Sequence, residues 1–141
     1  MVSLKATPFY NEVLKEINYS FGDIFIFEKF IVSEIKVGFH ISWEKHTKLI
    51  LKDVMDFLDG DVGNLIYISH RINSYSVAAM DWLKFYESKF NLKGHAIVAY
   101  NKATTLNIEV ENIFFKKKIK QFDDLESAIV WAKHSELLDN K

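Results

Sequence analysis

No cysteine occurs among the 141 residues, which excludes a disulfide framework, a thiolate nucleophile and a cysteine-based zinc site. Proline occurs once, at Pro8, and glycine five times, too few for a linker, a low-complexity tract or a disordered segment. Charge of one sign is equally scarce. A formal net charge of −1 leaves no global field to recruit nucleic acid or an anionic membrane. No apolar run approaches membrane-spanning length, and the opening MVSLKATPFYNEVLKEI lacks the apolar stretch of a signal peptide. A cytoplasmic, soluble protein is therefore expected. What the chain has in quantity is apolar surface: 49% hydrophobic residues, including 12 Phe, 6 Tyr and 3 Trp. At this length that builds one domain with a core of its own, and no internal repeat points to a second.

Gly63 to Phe90 reads as the organising stretch. Leu65-Ile66-Tyr67-Ile68 is the short apolar run of a fully covered central strand. The polar residues Ser69-His70-Arg71 and Asn73-Ser74-Tyr75-Ser76 follow as a turn with several helix N-cap candidates. Val77, Met80, Leu83, Tyr86 and Phe90 then suggest the apolar stripe of a helix. Before this, residues 1–10 look like a loosely held lead-in. Val13 to Ser20 alternates as a strand does, and Ile24–Phe27 and Phe30–Val37 add two more in an antiparallel meander. Ser42 is placed to cap a helix reaching about Leu58, with Trp43, Ile50, Val54 and Phe57 inward and Gly60 as its stop. Downstream, Asn91–Gly94 is a turn and Ala96–Tyr100 a second buried strand. Residues 104–115 fit helix or strand, and buried strands flanking helices elsewhere favour the helix. Ile119 and Phe122 suggest a last short strand. Asp123 with Glu126 forms a capping-box-like pair before a helix with Leu125, Ala128, Ile129 and Ala132 inward. The expected architecture is a single α/β domain, a mixed β-sheet of four to six strands with amphipathic helices packed on it.

That order of elements resembles the STAS-type domains, the anti-sigma-factor antagonist-like family, and especially its stand-alone SpoIIAA-like branch. The features that carry the likeness are Phe122-Asp123-Asp124-x-Glu126-x-Ala128-x-x-Trp131 and Gly38-x-x-Ile41-Ser42-x-Glu44, within a core of about residues 12–138. The resemblance implies a non-enzymatic regulatory or protein-interaction module, its contact surface at the 69–76 turn and the helix after it. In the antagonists an acid-serine-serine/threonine-glycine motif opens that helix and is phosphorylated by a partner kinase. Asn73, Ser74, Tyr75 and Ser76 stand at the matching positions, which makes Ser74 the candidate phosphoacceptor. Loose kinship with lipid-transfer folds, together with the abundance of phenylalanine, raises an alternative: a carrier or sensor of a small apolar, lipid-like ligand.

Residue by residue, plainer roles compete with these. Ser74 and Ser76 read first as helix caps, each worth about 1 kcal/mol. His70 and Arg71 can join a helix N-terminus in holding an anion, but a basic pair on a solvated turn is the simpler assignment. Ser69 and His70 are neighbours on a strand, point to opposite faces and cannot share a proton. None of the five histidines has the spacing of a helical zinc site, so no metal is expected. The chain carries no nucleophile elbow, phosphate loop or dinucleotide fingerprint, so neither enzyme activity nor a cofactor is expected. Glu109 and Glu111 read as solvated charges. Lys116, Lys117, Lys118 and Lys120 close a helix and protect an edge strand, without the interleaved aromatics of a single-strand binder. Trp43 and Trp131 are assigned to the core. Trp82, beside Asp81 and off the main stripe, is read either as partly exposed, a contact point for a partner or a homodimer, or as packed against a neighbouring helix.

Overall fold

The computed structural model describes residues 2–60, 65–87, 92–115 and 118–134, with backbone alone at 86 and 102–107. Phe90, Asn91, Lys116 and Lys117, and the side chains of Tyr86 and Leu106, carried parts of the sequence reading and lie outside what is described. The alternation after Val13 forms β1 (Lys15–Tyr19), and β2 (Gly22–Ile26) and β3 (Phe30–Ile35) complete the antiparallel meander. The β1–β2 turn is tight. A Cβ at Gly22 would lie 2.6 Å from the Glu34 carbonyl oxygen on β3, so a larger residue must push the strands apart. Every residue of β3 is buried, including Ser33 and Glu34, which therefore need partners inside the fold.

β4 (His40–Ile41) is followed by a wide π-type turn, Trp43–Thr47, and then by α1 (Lys48–Phe57). Ser42 caps this unit by accepting the Lys45 N–H, and Trp43, Leu51 and Val54 are buried as expected. Phe57, expected inward, is 40% exposed at the open end of the helix. Gly60 takes φ +85° and ends it.

β5 (Ile66–Arg71) then runs parallel between β3 and β7 (Gly94–Ala99), and β8 (Lys120–Phe122) lies beyond β7. The sheet is mixed and six-stranded, in the order β1-β2-β3-β5-β7-β8. The Leu65–Ile68 run is central, as expected. The strand continues through Ser69, His70 and Arg71, all buried, so the basic pair is not on a solvated turn. Covered strands on both flanks keep the backbone extended there, whatever the side-chain polarity.

A second correction concerns the helix after β5. Ser76 and Val77 form β6 (Ser76–Val77), paired parallel with β4. The Ser76 N–H donates to Phe39 O at 3.0 Å, and the Ala78 N–H to Ile41 O at 2.8 Å. With those donors engaged in a ladder, the helix starts later, as α2 (Asp81–Glu87). Its face is accordingly displaced: Met80 and Leu83 are 64% and 44% exposed, while Trp82 and Phe85 turn inward.

Residues 104–115 fall within α3 (Lys102–Phe114). Ile108, Glu111 and Phe115 face in, whereas Val110 and Ile113, expected inward, stand outside. α4 (Leu125–Lys133) buries Leu125, Ala128, Ile129 and Ala132, and its cap is Asp124, which accepts the Ser127 N–H at 2.7 Å. α4 covers one face of the sheet together with the N-terminal segment; α1, α2 and α3 cover the other. That segment is not loosely held. Leu4 is fully buried, and two 3-10 turns, Leu4–Ala6 and Pro8–Glu12, lay it over the sheet.

Candidate functional site

Alternation along β5 divides its side chains between the two layers. Ile66, Ile68 and His70 face α4, and Tyr67, Ser69 and Arg71 face α1, α2 and α3. On the second side the layers leave a cavity of about 90 Å³. Its walls are mostly aliphatic and aromatic, including Ile24, Ile31, Leu51, Leu65 and Phe85, with Tyr75 and Val77 of the β4–β6 ribbon closing one side. Polar groups gather at one end. The Arg71 Nη2 lies 2.6 Å from Glu111 Oε2, an ion pair with both side chains almost fully buried. The Trp82 Nε1–H donates to Glu111 Oε1 at 3.3 Å, and the Arg71 Nε–H to Ser69 Oγ at 3.1 Å. Ser69 Oγ lies 2.9 Å from the Tyr75 hydroxyl, and Ser33 Oγ 2.7 Å from the Tyr67 hydroxyl. Burial raises the pKa of both tyrosines, so both are neutral phenols. Behind this wall sits His95, packed against Tyr67, Trp82 and Phe115 with ring centroids 4.9–5.0 Å away. Neither of its ring nitrogens has a hydrogen-bond partner. Burial, and then the charge of Arg71, holds its pKa well below the ordinary value.

The opposite face carries a separate polar chain. His70 Nδ1 lies 2.8 Å from Glu34 Oε2, and His70 Nε2 lies 2.7 Å from the Tyr100 hydroxyl. Glu34 also accepts the Leu4 N–H and the Ser3 hydroxyl, each at 2.7 Å. Burial alone would raise the Glu34 carboxyl, but His70, the Leu4 N–H and Ser3 together lower it. This chain ties the N-terminal segment to the middle of the sheet. It lies across the sheet from the cavity.

The meander, the parallel central strands and the helices on both faces match a crystal structure described as an uncharacterized protein from the DUF3478 family with a SpoIIAA-like fold, from Shewanella loihica PV-4. The TM-score is 0.53 at 16% identity, over 84% of this chain and 90% of that one. This chain has the SpoIIAA-like fold. At such identity the likeness speaks to architecture alone. No protein-family model and no curated protein matches the chain by sequence.

Within this SpoIIAA-like fold, the residues singled out from the sequence do not converge on one surface. Arg71 is in the cavity wall, and His70 is in the opposite core. The Asn73 amide donates to Ile35 O at 3.0 Å, fixing the bend after β5. Ser74 is exposed, and its carbonyl accepts the Gly38 N–H. The Ser76 hydroxyl lies 2.7 Å from His40 Nδ1 across the β4–β6 ribbon. None of the three caps a helix, since α2 begins only at Asp81. Trp82 is half-buried among Phe85, His95 and Phe115, so of its two readings the packing against a neighbouring helix is the one found, and it forms an inward wall of the site. Glu111, read as a solvated charge, is 2% exposed and is the counter-ion of Arg71. Sequence reasoning missed Glu111, Glu34, Tyr67 and His95 as polar members of the two layers. Ile108, Glu111 and Phe115 do recur at helical spacing, but a glutamate reads as inward only once its arginine is known. Among the described residues there is no group of three or more His, Asp or Glu able to hold a metal ion. Nor is any described helix long and apolar enough to cross a membrane.

Proposed function

We propose that this chain is a non-enzymatic, ligand-responsive module: it holds a small, mainly apolar molecule between sheet and helices and passes occupancy to the adjoining ribbon and turn. The observation that carries this reading is the cavity, apolar along most of its wall with a few polar groups converging at one end, the usual composition of a small-molecule site. Its volume of about 90 Å³ is below the ~150 Å³ at which a dry engineered cavity admits benzene, so the occupant is slender or small. The absence of catalysis is supported by how the hydroxyls are placed. Ser69 Oγ meets Tyr75 and Arg71, and the neighbouring His70 points through the sheet to Glu34, so no base addresses that serine. The response is supported by Tyr75 and Val77, which line the cavity from within the same short segment as the exposed Ser74.

Native mass spectrometry of freshly purified protein tests this reading. A reproducible small bound species, or uptake of an added short-chain alcohol, is the expected result. A clean unliganded mass with no uptake at millimolar ligand would end it.

A regulatory switch by phosphorylation is a second reading, favoured by the exposure of Ser74 on the turn. A phosphate there would meet solvent and not a helix N-terminus, so it would act by adding charge beside a partner surface. Intact mass after incubation with ATP and cell lysate checks it: one phosphate on Ser74 supports the switch, and an unmodified chain under every growth condition removes it.

A further inference from the structure

We propose that the cavity selects an electrically neutral ligand bearing one hydrogen-bonding oxygen, an alcohol or ketone on a short hydrocarbon, and rejects carboxylates and amines of the same size. This rests on the ligand-binding reading above and names the class of molecule that site takes.

The inference comes from charge and hydrogen counting at the polar end. Arg71 is the cation in the wall, and its charge is matched by Glu111 Oε2 at 2.6 Å, a charge contact without hydrogen-bond geometry that leaves this oxygen able to accept from a ligand hydroxyl. Glu111 also accepts from Trp82, so the pair is anchored from α2 as well as α3. Asp81, at the cavity edge, accepts the Trp43 N–H at 2.7 Å and lies 3.5 Å from the Lys84 ammonium, so it too is engaged. The remaining polar groups are hydroxyls. A carboxylate entering here would lose its hydration and meet an arginine already neutralised; an ammonium would meet a glutamate in the same condition. Buried charge without a partner is the most unfavourable outcome available to a ligand.

The hydroxyls, in contrast, leave something to offer. Ser33, Tyr67, Ser69 and Tyr75 form two hydroxyl pairs, Ser33–Tyr67 at 2.7 Å and Ser69–Tyr75 at 2.9 Å. Each pair uses one of its two hydroxyl hydrogens in its own link; the Ser69–Tyr75 pair, both of whose members line the cavity, has one hydrogen left over, and the Arg71 Nε–H takes only a Ser69 lone pair. A ligand oxygen that accepts this hydrogen completes the network. A pure hydrocarbon leaves it unmet, at the disadvantage of any unsatisfied buried donor.

Three probes of one chain length decide the matter: propan-1-ol, propanoate and propan-1-amine, titrated into the intact protein at neutral pH. Binding is read by tryptophan emission, to which Trp82 in the wall contributes, and by thermal shift. Propan-1-ol is expected to bind at least roughly tenfold more tightly than either charged probe, tenfold being about 1.4 kcal/mol. Glu111→Gln keeps the side-chain shape and leaves the Arg71 charge unmatched, so it is expected to invert the order and favour propanoate. If propanoate or the amine equals the alcohol on the wild-type protein, the neutral-ligand inference is overturned while the cavity reading stands. If none of the three binds and nothing is taken up in native mass spectrometry, the cavity reading fails and takes this inference with it. Should Glu111→Gln not fold, the wild-type ranking alone decides.

Discussion

His95 gives the sharpest test of the folded core, because it is a titratable group enclosed with no hydrogen-bond partner on either ring nitrogen. In the unfolded chain it titrates near its ordinary value of 6.5, whereas in the native fold burial first, and the Arg71 charge second, keep it neutral far below that. The sign follows directly. Below pH 6.5 the unfolded chain takes up a proton that the native chain refuses, so the stability linked to His95 is complete above 6.5 and falls with pH. One such group changes stability by about 1.4 kcal/mol per pH unit, hence about 2 kcal/mol on going from 6.5 to about pH 5.

The variant to compare is His95→Phe, which keeps a flat ring against Tyr67, Trp82 and Phe115 and removes both unpaired nitrogens. Near pH 7.5 it is expected to gain part of the roughly 1–3 kcal/mol that an unsatisfied buried polar group costs, less any strain from the slightly larger ring. Urea denaturation of both proteins across this range is the assay, with the midpoint read at constant slope. The chosen window avoids the carboxylates: Glu16, lowered to about 2, and Glu34, also lowered, lose their contributions only below 4.5. His46, lowered chiefly by burial, is common to both proteins and cancels in the difference. If wild type and His95→Phe lose stability in parallel between pH 6.5 and about pH 5, the account of His95 as a buried neutral group is wrong.

Four further outcomes follow from the same structure. Glu111→Ala leaves the Arg71 charge buried and unmatched and should destabilise by about 3–5 kcal/mol in chemical denaturation, whereas the double change Arg71→Met with Glu111→Leu should fall near wild type. Gly22→Ala drives a methyl to 2.6 Å from the Glu34 carbonyl, and the strand shift it forces should cost about 1–3 kcal/mol, visible as a lowered melting temperature. Leu4→Ala should cost about 2–5 kcal/mol, a loss that no loosely held lead-in would show. Asp124→Ala removes the cap of α4 at about 1 kcal/mol, while Asp123→Ala should be close to neutral in the same melts.

The layout was legible where local chemistry and burial agree. Leu65–Ile68 and Ala96–Val98 are apolar on both faces because both faces are covered, and the central strands could be read from that alone. The meander and α4 were equally plain. The misreadings have a common cause, a long-range partner that changes what a residue's polarity means. Ser69, His70 and Arg71 look like a turn until Glu34 and Glu111 receive the two bases from opposite sides. Ser76 looks like a helix cap until β4 provides a ladder for it. Glu111 was placed outside, and Trp82 off the inward stripe, because α2 and α3 were phased on their most apolar residues, and Met80, Leu83, Val110 and Ile113 are the ones left facing water. The candidate site was missed for the same reason: its polar end is made of groups from β3, β5, α2 and α3 that have meaning only together.

The two acids on either side of β5 have one more effect, on how the chain finds its alignment. A slip of one residue along that strand would send His70 to the helix that carries Glu111 and thrust Arg71 under α4. An aliphatic strand would tolerate such an error with its greasy side chains simply exchanged. Here it would take the arginine from Glu111 into the closed space that a histidine fills between Glu34 and Tyr100, and leave a shorter imidazole to span the gap to Glu111. Glu34 and Glu111 thus serve as paired locating pins, each set at the reach of one of two bases of unequal length, and a mis-seated centre strand fits neither.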